Sequence, residues 1–306
     1  MPMAVLTQDM EKAPPGGVLY PTLGAYLRGN TLLVLVAAVG WLALFWPTLC
    51  GLVEYWLEDP DFSHGFLIPV ISGVVVYGNR AQLALIPVKG SLKGLLALCA
   101  SLLMLLAGAL SFTNIVERLA AWAAMASAVW FLLGFEILWR QRFSLLFLLL
   151  AIPPPFFLLG TLRLSLRALA TRTSADLLSL VGYPAFAEGN VLALGEHQLE
   201  VADACSGIRS LMAILATAVL FAYLLRLGIW KGALLTLTAI PVTVAVNVLR
   251  ILLISVSLVN FDLDLTHGAE HEAVGFAVFG VSLALLYASA RFYNWLLRWE
   301  PRKAVS

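Results

Sequence analysis

The sequence predicts an all-α integral membrane protein of about eight transmembrane helices, with a small external cap of one helix and a β-hairpin before the sixth. Three observations predict this class. The 306 residues are 61% apolar and only 12% charged, about half the charged fraction of a typical soluble domain. Mean hydropathy is +0.92. Apolar runs of about 20 residues, enough to cross about 30 Å of hydrocarbon as a helix, recur between charged breaks.

Charge and cysteine content exclude several other classes. The formal net charge of +1, from 19 basic and 18 acidic side chains, provides no basic face for nucleic acid. The three cysteines, Cys50, Cys99 and Cys205, are widely spaced and fit neither a disulfide scaffold nor a Cys-rich zinc module. Residues 1–30 lack the apolar core of a cleavable signal peptide, so we expect them to form a cytoplasmic tail.

Eight apolar stretches are candidate spans: Thr31–Gly51, Gly65–Tyr77, Leu95–Phe112, Leu119–Leu138, Phe143–Gly160, Ile208–Leu225, Leu234–Leu258 and Val274–Leu296. The second is short and contains Pro69 and Gly73, so a full crossing and a re-entrant segment both stay open. The expected organisation is therefore helices 1–5 within residues 31–160, helices 6–8 within residues 205–297, and a cytoplasmic tail over 298–306.

Loop charges orient these spans. Lysine and arginine in short loops mark the cytoplasmic side of a membrane. Every second loop is basic, with residues Lys12, Arg28, Arg80, Lys89, Lys93, Arg140, Arg142, Arg226, Lys231, Arg298, Arg302 and Lys303. The intervening loops are acidic or neutral, so we expect both termini to be cytoplasmic.

The long segment 161–204 is the exceptional external loop. Its first half spaces Arg163, Arg167 and Asp176 among leucines at helical intervals, as in an amphipathic interfacial helix. Its second half alternates apolar and polar residues between glycine-containing turns, which predicts a β-hairpin. This segment is the predicted cap.

Cys205 stands where the hairpin leads into the sixth span, in the stretch DACSGIR. This position is at or just before a helix N-terminus, where unpaired N–H groups and the helix dipole favour a thiolate. Arg209 adds a positive charge one turn later. A cysteine is commonly just a small apolar residue, as the other two in apolar runs suggest. The polar surroundings instead predict Cys205 to be a nucleophile, with Ser206 and Arg209 beside it.

Arg250 is a charged residue inside the seventh apolar run, about eight residues from its external end. A charge at that depth costs several kcal/mol unless it is paired or faces water, and intramembrane arginines commonly mark functional sites. Asn247, three residues earlier, shares its helix face and is predicted to orient it. Snorkelling, or pairing with an acid elsewhere, is the structural alternative.

His271 lies at the outer entrance of the eighth span, level with Cys205 in this topology. A cysteine and a nearby histidine are the minimum for thiol acyl transfer, because the imidazole stabilises the thiolate and later protonates the leaving amine. Arg250, slightly deeper, could stabilise the oxyanion. We therefore predict Cys205, Arg250 and His271 to be catalytic, with no metal and no cofactor.

A zinc-dependent membrane protease is the first alternative, since residues 267–271 match the H-x-x-E-H signature. Such a site needs both histidines on one helix face and a further ligand, whereas Gly268 makes a regular helix through His267 doubtful. A non-enzymatic transporter or flippase is the second alternative. It would place polar groups near the midplane of several helices and often shows repeat symmetry, and neither is seen in the sequence.

Four stretches resemble the exosortase/archaeosortase family of membrane cysteine transpeptidases. They are LEVADACSGIRSL at 199–211, N-x-x-R-I at 247–251, H-x-x-x-G at 271–275 and FSHGFLIP at 62–69. The resemblance extends from about residue 60 to 290, and the cysteine stretch, preceded by EGN at 188–190, is the specific part. His64 in the last stretch could border the same cavity, although a lone histidine is more often structural.

The resemblance implies Cys205 as nucleophile, with Arg250 and His271 as its partners. It also implies partners for the protein: membrane lipid, and secreted proteins bearing a short C-terminal motif, a hydrophobic helix and a basic tail. In bacterial members the motif is typically Pro-Glu-Pro and processing is linked to exopolysaccharide systems. The CSGIR form looks bacterial, which implies the inner membrane and a periplasmic site.

Several points stay open at the level of sequence. An acidic residue in the substrate motif could pair with an external arginine, namely Arg163, Arg167, Arg172 or Arg209, although these side chains could equally contact anionic lipid headgroups. The residues do not discriminate water from an amine, lipid or glycan as the acceptor. A non-catalytic scaffold for polysaccharide export is a further alternative, and it would tolerate loss of Cys205.

Overall fold

The computed structural model describes residues 20–201, 207–263, 265–266 and 268–296. The described α-helices are α1 (Leu23–Gly29), α2 (Thr31–Glu58), α3 (Leu67–Gly78), α4 (Arg80–Leu83), α5 (Leu92–Leu110), α6 (Asn114–Leu133), α7 (Phe135–Arg140), α8 (Arg142–Leu148), α9 (Phe156–Leu180), α10 (Ile208–Leu224), α11 (Gly228–Phe261) and α12 (Gly268–Leu296). Two 3₁₀ helices cover Pro60–Phe66 and Leu149–Ala151, and three strands are β1 (Ala185–Glu188), β2 (Val191–Leu194) and β3 (His197–Glu200).

Six helical stretches in the described part of the chain are long and apolar enough to cross a membrane: Thr31–Glu58, Pro60–Gly78, Leu92–Leu110, Asn114–Leu133, Gly228–Phe261 and Gly268–Leu296. Many of their large apolar side chains are exposed, as expected where lipid is the solvent. The prediction of a multi-pass helical membrane protein is therefore confirmed. The sequence-based count was eight.

The two remaining predicted spans correspond to shorter apolar helices, Arg142–Ala151 and Ile208–Leu224. The first is short because Pro153, Pro154 and Pro155 follow it, and proline lacks the N–H that a helix interior needs. The chain then resumes as α9, which runs without interruption through Gly160. The sequence pattern predicted a boundary between the fifth span and the external segment at residues 160–161. This boundary lies inside α9.

The predicted hairpin is present and is extended by a third strand. The strands are antiparallel in the order β1-β2-β3, with Ala185 opposite Leu194 and Leu192 opposite Leu199. Both connecting turns contain a glycine at positive φ, Gly189 at 60° and Gly195 at 62°, a conformation that glycine adopts without steric cost.

The chain divides into two compact units, and the first comprises the described residues up to Leu52 together with 69–149. In this unit α5 packs along α6. The approach is close because Gly94 has no side chain, and a Cβ there would lie 2.4 Å from the Phe131 backbone nitrogen. Phe45 of α2 is fully buried against small residues of α6, Ala120, Ala121 and Ala124.

The second unit comprises residues 53–68 and the described residues from 150 onward. Its helices α10, α11 and α12 pack against one another around an apolar core that contains Ile214, Leu235 and Leu286. The sheet forms a separate core with α9 and α11, in which Leu192 and Leu199 pack with Leu178 and Ile251. The sheet and the adjoining helix ends together form the cap.

Helix α11 is longer than one membrane crossing requires. Its 34 residues extend about 51 Å, compared with about 30 Å of hydrocarbon. The C-terminal half of the helix supplies Val248, Ile251 and Ile254 to the core that the helix shares with the sheet. Arg250 lies about 33 Å along the axis from Gly228, and its side chain is buried.

Candidate active site

Arg250 and His271 are in direct contact. The Arg250 Nη2 atom lies 2.7 Å from His271 Nε2 and 3.4 Å from the His271 carbonyl oxygen. Arg250 comes from α11 and is 9% exposed, whereas His271 lies in the first turn of α12. The packing of α11 against α12 therefore brings together two of the three predicted catalytic side chains.

The hydrogen bonds of His271 define its tautomer. A guanidinium has only donors, so His271 Nε2 accepts the bond from Arg250. The proton of the neutral ring is then on Nδ1, which donates to the Leu265 carbonyl oxygen at 2.9 Å. This carbonyl, just before α12, orients the ring so that Nε2 points to Arg250.

Gly275 leaves room for the guanidinium. It follows His271 by one helical turn, and a Cβ built there would lie 3.2 Å from Arg250 Nη2 and 3.6 Å from Arg250 Cζ. A side chain at this position would press on the group that holds His271. The close approach explains why glycine suits the end of the H-x-x-x-G stretch.

Asn247 connects this pair to the start of α10. It is 5% exposed and precedes Arg250 by three residues, so the two share one side of α11. Gly207, the N-cap of α10, has a left-handed φ of 75°, and a Cβ there would lie 3.4 Å from Asn247 Nδ2. Asn247 therefore lies against the point where the chain enters α10.

A cluster of charges surrounds Asp61 on the first 3₁₀ helix. Arg163 Nη2 lies 2.6 Å from Asp61 Oδ2 and 3.5 Å from Asp59 Oδ2. Arg209 Nε, in the first turn of α10, lies 4.0 Å from Asp61 Oδ1. The Asp61 side chain is 9% exposed and that of Arg209 is 49% exposed. Asp61 therefore joins α9 and α10 to the 3₁₀ helix.

An open cavity of about 350 Å³ borders this cluster, lined by Tyr55, Glu58, Asp59, Pro60, Asp61, Arg163 and Arg209. The sequence patterns identified Arg209 and the acidic loop separately, but not the role of Asp61 as a shared partner. The available signal was charge balance, since a carboxylate and two arginines that are all predicted to lie on the same side of the membrane are expected to pair.

The family model for transmembrane exosortases matches residues 56–288 of this sequence. The chain belongs to the transmembrane exosortase family. The match includes Arg250, His271, Asn247 and the charged cluster around Asp61. Searches of curated proteins and of solved structures found no significant match.

The predicted nucleophile of this exosortase family member, Cys205, and its neighbour Ser206 lie outside the described residues. The other two cysteines, Cys50 and Cys99, are exposed and free. They belong to α2 and α5 in the first unit, whereas Arg250 and His271 belong to the second.

His64 lies on the 3₁₀ helix Pro60–Phe66, which packs against α10. Its ring is 6.0 Å from that of Phe62, centroid to centroid. Among the hydrogen bonds of the described residues, none joins His64 to Arg250 or His271. The structure therefore places His64 beside the helix that follows Cys205, without a direct bond to the pair.

The zinc alternative relied on His267 and His271. His267 lies outside the described residues, and α12 begins at Gly268. Both ring nitrogens of His271 already have partners, the Leu265 carbonyl and the Arg250 guanidinium. A cation at Nε2 would have to displace a positively charged group, so this arrangement disfavours a metal ligand role for His271.

Proposed function

We propose that this chain is a membrane cysteine protease or transpeptidase that cleaves C-terminal sorting signals of secreted proteins through a thioacyl-enzyme intermediate. The observation that carries the proposal is the direct contact of Arg250 with His271, beside the entrance to α10. Membership of the transmembrane exosortase family supports the same activity class.

The proposed nucleophile, Cys205, is close in sequence to the start of α10. Gly207 lies against Asn247, and Cys205 is only two residues before it in the sequence. Two residues span at most about 7 Å. Chain connectivity therefore keeps the Cα atom of Cys205 within that distance of the Gly207 Cα.

The contact between Arg250 and His271 suggests how proton transfer and charge stabilisation are coupled. In the first step, the Arg250 Nη2–H leaves His271 Nε2 and donates to the scissile carbonyl oxygen as it becomes an oxyanion. The lone pair of Nε2 that this releases accepts the thiol proton of Cys205 as the sulfur attacks the carbonyl carbon.

Collapse of the tetrahedral intermediate breaks the C–N bond and leaves a thioester on Cys205. His271 returns its proton to the leaving amine, and its neutral Nε2 accepts from Arg250 again. Attack of an acceptor nucleophile on the thioester then releases the product and regenerates the thiol. Water as acceptor gives hydrolysis, whereas an amine or another nucleophile on a lipid or glycan gives group transfer.

The membrane insertion of the proposed substrate would bring its motif to the site. A hydrophobic helix followed by cytoplasmic basic residues stops in the bilayer by the positive-inside rule and leaves its preceding motif at the outer interface. In a bacterial inner membrane this is the periplasmic face, and the link to exopolysaccharide export is part of the proposal. Arg163 is already paired with Asp61, so the half-exposed Arg209 is the better candidate to bind an acidic residue of the motif.

Co-expression with a secreted protein that bears such a C-terminal signal tests the proposal. Cys205→Ala should abolish shortening of that protein, as judged by its mass. Cys50→Ala and Cys99→Ala are matched controls and should process it at the wild-type rate, because the mechanism assigns no step to these free cysteines. Continued shortening by Cys205→Ala would refute the thiol mechanism. The mass of the mature C-terminus distinguishes hydrolysis from transfer.

A further inference from the structure

The two edges of the three-stranded sheet differ in how they are covered. Helix α9 packs against β1, and Ser179 Oγ of that helix donates to the Ala185 carbonyl oxygen at 2.9 Å. At the other edge, β3 pairs only with β2 among the described strands. An uncovered edge strand exposes a row of main-chain donors and acceptors that readily pair with another strand.

The register shows which groups β3 presents at this edge. Val201 N donates to the Asn190 carbonyl oxygen at 2.9 Å, and Leu192 lies opposite Leu199 two residues further on. Hydrogen-bonded pairs alternate with non-bonded pairs in an antiparallel ladder. The N–H and C=O groups of Gln198 and Glu200 therefore point away from β2, and no group in the described part of the chain bonds them.

This edge is close to the proposed nucleophile along the chain. β3 ends at Glu200, and five residues extend at most about 17 Å. The strand also packs on the helix that carries Arg250, since Leu199 and Val201 share a core with Val248 and Ile251 of α11. The free edge thus lies on the α11 side of the sheet, and the opposite edge lies on α9.

We propose that the substrate segment containing the scissile bond binds as a fourth strand on the free edge of β3. This inference rests on the proposed function and identifies how that site recognises its substrate. A peptide carbonyl within a helix is engaged in its own i→i−4 bond, so the segment attacked by the thiol must be extended. Extended backbone at an interface needs hydrogen-bond partners, which the outward groups of Gln198 and Glu200 supply.

Strand addition makes recognition depend mainly on main-chain groups, with side-chain specificity only at alternate positions. Successive residues of an added strand direct their N–H groups to opposite sides. Only every second residue of the substrate segment should therefore need a main-chain N–H group for binding to β3.

The test on the enzyme removes single outward N–H groups. Gln198→Pro and Glu200→Pro each delete one donor at the free edge and no bond to β2, and proline is tolerated at such edge positions. We expect the rate of substrate shortening to fall at least about tenfold, as for the loss of main-chain hydrogen bonds to the substrate. Gln198→Thr and Glu200→Thr keep the donor and should restore most of that loss.

Ala187→Pro provides the matched control. Its N–H also points away from β2, since Ala187 is opposite Leu192 in the alternating register, but on the edge that faces α9. It should leave the shortening rate near that of the wild type. Equal rates of alkylation of Cys205 by a small thiol reagent would show that the site is intact in all proline variants.

A second measurement uses the unmodified enzyme. Proline placed at successive positions before the cleavage point of the substrate should block shortening at every second position. Wild-type shortening by the two β3 proline variants, or a substrate scan without alternation, would overturn strand addition. Should a β3 variant fail the alkylation control, the substrate scan alone decides. Failure of Cys205→Ala to stop shortening would instead refute the proposed thiol mechanism.

Discussion

The Nη2 atom of Arg250 donates to Nε2 of His271 across 2.7 Å, and this single bond connects the charge and the proton carrier of the proposed mechanism. The bond also assigns the two side chains separable roles, because the arginine cannot lose its proton and the histidine can.

Arg250→Lys should lower turnover by about two orders of magnitude, in line with the loss of an oxyanion donor, and should leave substrate capture little changed. Lysine keeps the charge but loses the planar fork of donors. Turnover and KM measured in proteoliposomes would check this. Full activity in a properly inserted variant would mean that Arg250 is only a structural partner of His271.

His271→Ala should be at least as damaging as Arg250→Lys. It should also change the pH profile of the residual activity, whereas Arg250→Lys should leave its shape unaltered, because only the histidine transfers a proton. His271→Gln separates positioning from proton transfer, since its amide oxygen can still accept from Arg250. Restored turnover in His271→Gln would show that the ring merely holds the arginine.

Gly275→Ala should lower activity about tenfold while the protein stays folded, because displacement of a catalytic group by a fraction of an ångström is costly. The new Cβ would press on Arg250 Nη2 at 3.2 Å. Gly280 on the same helix has nothing within 4 Å of such a Cβ. Gly280→Ala should therefore keep full activity and gain up to about 1 kcal/mol of helix stability. Equal activities of the two variants would contradict this account.

Asp61 should be coupled more strongly to Arg163 than to Arg209. A double-mutant cycle of Asp61→Asn with Arg163→Gln is expected to give a coupling free energy of about 1–3 kcal/mol, since the pair is in contact and partly buried. The cycle with Arg209→Gln should give less than about 1 kcal/mol, as for exposed pairs. Unfolding in mixed micelles measures both. Equal coupling would mean that the 2.6 Å and 4.0 Å separations do not set the energies.

An impermeant thiol reagent should label Gly195→Cys in intact cells, in a background with the three native cysteines replaced. Lys89→Cys should be labelled only after the membrane is permeabilised. These expectations follow from the alternation of basic loops. The reverse pattern would invert the proposed orientation and place the site on the cytoplasmic side.

Hydropathy was sufficient to predict a helical multi-pass protein, because the apolar runs depend only on transfer free energy. The sequence also singled out Arg250 and His271, since polar groups are rare in apolar spans, and the structure shows that these two side chains are in contact. The length of α11 was not predictable. Val248, Ile251 and Ile254 belong to the core that α11 shares with the sheet, and they are as apolar as residues that face lipid. Hydropathy alone does not distinguish these two surroundings.

The charged cluster and the third strand depend on contacts between distant segments. Asp61 and Arg163 are 102 residues apart, and without an observed neighbour each resembles an ordinary exposed charge. Likewise, the residues of β3 alternate as expected for a strand, but only the structure shows that β1 is covered by α9 and that β3 is not.

The rigid helix α11 fixes the axial distance between Gly228 and Arg250. Since Arg250 is about 33 Å from Gly228, the first residue of the helix, the thickness of the host bilayer would determine whether the guanidinium meets water or hydrocarbon. Shorter chains would lift the pair into the headgroup layer and lower the scissile segment relative to it, whereas longer chains would submerge both. Bilayer thickness would then act on this protein as a control of reaction rate.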